Sequence, residues 1–299
     1  MAKNQGKGKA KSLLSSFVFI VAVIAVILGR FNKDFETVKK PGLDYEPYSI
    51  HFIDVGQGSA TLLQSENVGI LIDAGEKEYG KVVVDYIKAC KIEKLAYVVA
   101  THPHTDHIGG LIEVLNEIPV ENIIMPKIAS SILPTTKTYE TLLETISEKD
   151  IKAVAAKYGK EYAAGRISLK IFGPVEQIGD LNNMSVICLA NVNSTTVLVS
   201  GDAEKPEMKS VMRRNPDISC DIMLMAHHGS KTSLENDFLY AASANAAVIS
   251  CGRNNSYGHP NEETIDYLLN NGIDYYRIDI NGDIVIHCYD DGYKITTQK

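Results

Sequence analysis

The sequence predicts an α/β protein, and the order of its elements predicts a four-layer αββα sandwich, two mixed sheets face to face with helices outside. Three observations carry this. From Ser49 onward, short apolar runs alternate with amphipathic ones, a periodicity that by itself gives only α/β. The first three apolar runs are joined by turns containing Gly and Asn, as antiparallel strands are. Strands and helices then mix, and the second half repeats that progression.

Taken in order, SIHFIDVG, ATLLQS and VGILIDAG read as strands, YGKVVVDYIKAC as a helix and LAYVVAT as a buried strand. IGGLIEVLNEI has helical spacing, and ENIIMP is another strand. KTYETLLETISEKD is helical, with short β-like pieces after it. RISLKIFGP, MSVICLAN and TTVLVSGD are strands, the last two forming a hairpin across Val192, Asn193 and Ser194. Then come EKPEMKSVMRRN (helix), DIMLMAHHG (strand), SLENDFLYAAS (helix), AAVISCG (strand) and NEETIDYLLNNG (helix). The strands YYRID, DIVIHCY and YKITT close the chain.

The chain ahead of this domain has a different character. Residues 1–30 hold Lys3, Lys7, Lys9, Lys11 and Arg30 and no acid, a charge of +5. The remaining 25 basic side chains face 37 acidic ones, a net of −12, so bulk attraction does not draw this domain to a polyanion. Residues 13–29, LLSSFVFIVAVIAVILG, are uncharged and mostly apolar, at the short end of what spans ~30 Å of hydrocarbon. They are expected to form a transmembrane signal anchor behind a basic cytoplasmic tail, residues 1–12, with the domain outside the cytoplasm. A cleaved export signal, which would leave a secreted protein, and a buried helix are the alternatives. Residues 30–48 read as a polar linker, and residues 49–299 as the domain. Five widely spaced cysteines without a C-x-x-C pair, several in apolar runs, are expected to be buried thiols.

The chemistry concentrates in THPHTDHIGG, residues 101–110, which holds three of the eight histidines. His102 and His104 lie two apart, so in an extended loop they point the same way and can share one metal. Asp106 and His107 follow where the chain turns into a helix and can hold a second. Gly109 and Gly110 allow close backbone passage behind the site. Imidazole with carboxylate suits zinc, manganese or iron. A solvated histidine-rich loop is the plain alternative.

This stretch resembles the H-x-H-x-D-H signature of the metallo-β-lactamase-fold hydrolases. FIDVGQG (52–58), LIDAG (71–75), SGD (200–202), HHGS (227–230) and YGHP (257–260) follow in that family's order. Each is weak alone. Together, over residues 49–290, they resemble the hydrolase domain of the competence protein ComEC and its stand-alone relatives. The resemblance implies the metallo-β-lactamase fold and two divalent ions, zinc or manganese. It implies His102 and His104 on the first ion, Asp106 and His107 on the second, and Asp202 bridging both. It implies His227 or His228 completing the second site, with His228 preferred because that ligand is commonly followed by glycine, and His227 then facing substrate. It further implies that Asp106 orients a water and that His259 contacts a leaving group or phosphate oxygen, helix capping being the alternative for His259.

Two features depart from the wider family. No histidine lies between 108 and 226, so the usual middle ligand is missing; LNNMSV offers Asn182, Asn183 and Ser185 there. Ser59 stands where relatives often carry an acid. Asp54 is expected to brace ligand loops or to serve a plain turn, and Asp73 to serve mainly as scaffold. Tyr257 and Ser230 are expected to line the cleft, and His51 and His287 to be structural. The activity implied is a phosphodiesterase acting on DNA or on a cell-envelope phosphodiester. Hydrolysis of an amide, ester or β-lactam, or a non-catalytic binding module, are the competing readings.

Overall fold

The computed structural model describes residues 46–176 and 179–299. The basic tail, the expected span over 13–29 and nearly all of the linker lie outside the described residues. Among those described, no helix is long and apolar enough to cross a membrane.

One sheet begins with three antiparallel strands, β1 (Tyr48–Phe52), β2 (Thr61–Ser65) and β3 (Val68–Ile72). It continues in parallel through β4 (Lys94–Val99), β5 (Val120–Met125) and β6 (Lys152–Ala155). The other begins with β7 (Glu161–Ala164), β8 (Ile167–Ile171), β9 (Cys188–Val192) and β10 (Thr195–Val199), again antiparallel. It continues in parallel through β11 (Ile222–Leu224), β12 (Ala246–Ile249) and β13 (Asp274–Arg277). The chain then returns to the first sheet as β14 (Ile284–Tyr289) and β15 (Gly292–Thr297), β14 pairing with β1. The repeated progression expected from the sequence is thus two mixed sheets, of eight and seven strands.

Alternation within each strand assigns the layers. In β10, Val197 and Val199 join Ile70, Ile72, Phe52 and Ile286 in the core between the sheets, while Leu198 points outward. β11 and β12 divide likewise, with Ile222, Leu224 and Val248 inward and Met223 and Ile249 outward. A strand covered on both faces reads as a nearly continuous apolar run, which is why TTVLV and AAVIS look as they do.

Helices cover the outer faces. On the first sheet lie α1 (Gly80–Ala89), α2 (Thr105–Ile108), α3 (Leu111–Glu117) and α4 (Lys137–Glu148). α1 buries Val83, Val84 and Ile87, and α4 buries Tyr139, Leu142 and Ile146, each on one helical face. His51 and His287 are buried on their strands, and His51 Nδ1 lies 3.1 Å from the Tyr86 hydroxyl, tying β1 to α1. On the second sheet, α5 (Lys205–Met212), α6 (Asn236–Ala242) and α7 (Glu262–Asn270) set Met208, Val211, Phe238 and Leu268 against Leu198, Met223 and Ile249. A single turn, α8 (Ile278–Asn281), carries β13 toward β14; four residues are too few for its periodicity to show in the sequence. All five cysteines are buried, and none is in a disulfide.

Candidate metal centre

The parallel strands of both sheets end on the same side, and every candidate ligand follows such an end: 102–107 after β4, Asp202 after β10, His227 and His228 after β11. The carboxyl ends of parallel strands are where open α/β sheets present polar groups to a cleft. Thr101 backbone O accepts from Val186 N at 2.9 Å, joining the loop after β4 to the segment entering β9. Close passage here requires glycine. A Cβ on Gly110 would lie 2.1 Å from Ala74 O, and one on Gly201, at φ +50°, 2.9 Å from the Ser185 hydroxyl.

Two ligand sets result, each with its donor atoms within 4.8 Å of one another: Asp106, His107, Asp202 and His228, and His102, His104 and Asp202. Asp202 belongs to both through different atoms. Its Oδ1 lies 3.1 Å from His107 Nε2 and 3.7 Å from His228 Nε2, while its Oδ2 lies 3.7 Å from His102 Nε2. His228 Nε2 is 3.2 Å from Asp106 Oδ2, and His102 Nε2 is 3.0 Å from His104 Nδ1. His107 Nε2 and Asp202 Oδ1 are both buried without a hydrogen-bond partner, though they face each other. Buried polar atoms left unpaired are costly, and a cation between them satisfies both. The donor set therefore fits two divalent ions.

The far nitrogens fix the tautomers. His107 Nδ1 donates to Asp73 Oδ2 at 2.7 Å, and His228 Nδ1 donates to the Ser250 carbonyl at 2.7 Å, leaving each Nε2 to face the centre. Asp73 also accepts from the Thr101 hydroxyl at 2.7 Å and the Thr101 amide at 2.8 Å. The bracing role entertained for Asp54 thus falls to Asp73, whereas Asp54 accepts from Gly56 N in its own turn. Burial opposes a charge on His107, but the Asp202 and Asp73 carboxylates outweigh it and hold the imidazole well above its ordinary range. For Asp202 burial is likewise overcome, by His107, His228 and His102, and its carboxyl lies well below the usual range. Burial, with the charge of His107, pushes His102 well below its ordinary value, and burial also lowers His104. Carboxylates held ionised in a buried cluster require positive charge between them, from protons or from metal.

The HHG stretch achieves its geometry at a cost. His227, His228 and Gly229 are all left-handed, with φ of 52°, 56° and 80°. For the two histidines this costs about 1–2 kcal/mol each. The backbone twist lets neighbouring histidines serve different jobs: His228 turns into the ligand set, while His227 stands beside it, its Nε2 3.7 Å from Asp202 Oδ2. His227 Nδ1 contacts Glu204 Oε1 at 3.3 Å and the Thr232 hydroxyl at 3.2 Å. Glu204 was not singled out from the sequence, where an acid opening a helix reads as an exposed cap.

The candidates for the missing middle histidine separate. The Asn183 side chain accepts from the amides of Glu204 and Glu207 and donates to Asp180, so it closes the start of α5. The Ser185 hydroxyl accepts from Asp202 N at 3.0 Å and so aims the bridging residue. Asn182 lines the cleft. Ser59 is buried, its amide donating to Asp106 O, and Ser230 is buried and caps the turn at Lys231–Ser233 rather than lining the cleft. The cleft, about 370 Å³, is bounded by Gln57, Glu76, Asn182, Tyr257 and His259 around the ligand sets. Burial and the charges of His227 and His228 push His259 down to about 4, so it is a neutral group at physiological pH. Its ring lies 5.5 Å from that of His227.

Fold and site together define an α/β sandwich with a candidate dinuclear metal centre. The chain belongs to the Metallo-beta-lactamase superfamily, whose family model matches residues 53–253. More narrowly, it is 27% identical to ComE operon protein 3 of Bacillus subtilis (strain 168), over 79% of this chain and 32% of that protein. It is 25% identical to Recombination protein 2 of Haemophilus influenzae, over 95% of this chain and 33% of that protein. The chain thus spans about a third of the length of these curated relatives. Among solved structures, Igni18, a metallo hydrolase of the archaeon Ignicoccus hospitalis, shares the fold with a TM-score of 0.54 at 14% identity, covering 81% of this chain and all of that one.

Proposed function

We propose that this chain is a dinuclear metal-dependent phosphodiesterase acting on DNA strands, held at the outer face of the cell membrane by residues 13–29. The observation that carries the reading is the division of Asp202, one carboxylate oxygen turned toward each ligand set. Two divalent ions, zinc or manganese, supply when bound an activated water and charge neutralisation for both the attacking and the leaving oxygen of a phosphodiester. The relatives' names, a ComE operon protein and a recombination protein, support DNA over an envelope phosphodiester.

The chain's own groups have distinct parts. His102, His104 and Asp202 would hold the first ion, and Asp106, His107, His228 and Asp202 would hold the second. Asp106, a quarter exposed and bordering the cleft, would orient the attacking water. Glu204 and Thr232 fix the His227 ring so that its Nε2 faces a phosphate oxygen. His259, neutral, forms a hydrogen bond on the leaving-group side without adding charge.

The test uses the purified full-length chain with manganese or zinc, assayed on single-stranded DNA, bis-p-nitrophenyl phosphate and nitrocefin. Phosphodiester cleavage that disappears in Asp202→Ala is expected. Nitrocefin turnover with no phosphodiester cleavage would overturn the reading in favour of β-lactam or amide chemistry.

A further inference from the structure

The cleft poses a problem for any anionic strand. Its lining residues are Gln57, Asn182, Thr105, four histidines, Tyr257 and the acids Glu76, Asp106 and Asp202, with no lysine or arginine among them. Glu76 stays close to the ligand sets, where burial and the charge of Asp106 raise its carboxyl. Apart from His227 and His259, which are assigned to the scissile phosphate itself, this lining offers no cationic side chain to a neighbouring phosphate. Within this lining, binding energy for the nucleotide beside the scissile bond falls to uncharged surface.

One such surface is present. Tyr257 is 68% exposed, yet it borders the same cleft as His104, Asp202 and His228. Its ring stacks on His259 at 22°, centroids 5.7 Å apart, and His259 in turn lies nearly parallel to His228 at 26° and 6.2 Å. Tyr257 therefore stands two rings out from a metal ligand, with one face against His259 and the other open. The loop that carries it is braced. Asn255 accepts from the amides of Tyr257 and His259 and donates to the carbonyls of Gly252 and His259. An aromatic ring held outward on a braced loop gives up burial and loses little entropy when a second ring settles on it.

We propose that Tyr257 is the base-stacking platform of the cleft, receiving the nucleobase next to the scissile phosphate and selecting strands with unpaired bases. This deepens the phosphodiesterase reading and rests on it. Base–aromatic stacking tolerates any sequence and needs no cation, so the preference is for single-stranded over paired or base-free substrates. It also makes the binding of that nucleotide weakly dependent on salt, unlike a lysine-lined groove.

The test compares a single-stranded oligonucleotide with an abasic strand of the same length. In the wild-type chain the base-bearing strand is expected to have the lower KM. In Tyr257→Ala the ratio of the two KM values should collapse by on the order of tenfold with kcat on DNA kept, the pattern of lost uniform binding. Tyr257→Phe should retain the ratio. Equal losses on both strands would make Tyr257 a structural residue, and an unchanged ratio would remove it from recognition; either overturns the proposal. If the wild-type chain cuts neither strand, the phosphodiesterase reading fails separately. Fluorescence anisotropy of labelled strands then decides the platform alone: base-dependent binding lost in Tyr257→Ala supports it, and its persistence overturns it.

Discussion

Asp106, His107 and His228 form, with Asp202, a closed and braced ligand set, whereas His102 and His104 form, with the same aspartate, a sparser one. In the first case each imidazole is fixed from behind, by the Asp73 carboxylate or by a backbone carbonyl. In the second, among the described residues His102 Nδ1 meets the Thr101 hydroxyl, at 3.2 Å, and the segment that would supply a fourth ligand offers asparagine in place of histidine. Three ligands with an open position suit an ion that must exchange water or substrate, and four suit one that stays. The difference teaches that the two halves of one candidate centre diverge both in bracing and in ligand number, four donors against three.

The largest way to break this comparison is to remove what the halves share. Asp202→Ala should abolish stable binding of both ions and lower cleavage by about a thousandfold or more, as for a group that acts with its neighbours as a unit. Metal content by mass spectrometry, alongside single-turnover rates, checks it. One ion retained at full affinity would mean that the halves are independent. Next come the single-set variants. His228→Ala should cost the tightly held ion and leave weak binding at the other set. His104→Ala should leave one tight ion per chain, and calorimetric titration with manganese distinguishes the two patterns.

A smaller effect sharpens the comparison. Asp73→Asn keeps the shape of the brace but removes its charge, and outer-shell changes of this kind cost about 10–100-fold in metal affinity. The loss should fall on the closed set, and hence be fully visible in the His104→Ala background and nearly absent in the His228→Ala background. Equal losses in both would show that Asp73 supports the whole cleft rather than one half.

How far these residues could be read in advance follows from their physics. THPHTDH, Asp202 and the HHG pair carry chemistry that few residue types can perform, so they stand out in one dimension. Asp73 does not, because DVG and DAG both put an aspartate at a strand end. Only the fold shows that the second lies against Thr101 and His107, roughly thirty residues away. Glu204 was hidden by looking like an ordinary acidic helix start, and the left-handed turn of His227 and His228 by lacking the glycine or asparagine that usually marks one. The sandwich was legible for the opposite reason. Alternation such as Thr196, Val197, Leu198 and Val199 records two covered faces along the whole strand, and that signal accumulates over many residues.

The smallest expected effect concerns protons, and it runs against the order of tightness. A metal needs the imidazole lone pair, so a raised imidazole value makes protons stronger competitors, and a lowered one weaker. In the closed set, the carboxylates around His107 and His228 outweigh burial and raise both. In the sparse set, burial lowers His102 and His104. As pH falls from 8, the closed set therefore begins to take up protons first, and its apparent affinity declines while that of the sparse set is still level. Manganese titrations at pH 8, 7 and 6 should show the steeper decline in His104→Ala, where only the closed set binds, and the shallower one in His228→Ala. Parallel slopes would mean that the shared Asp202, common to both, sets the proton competition for the whole centre.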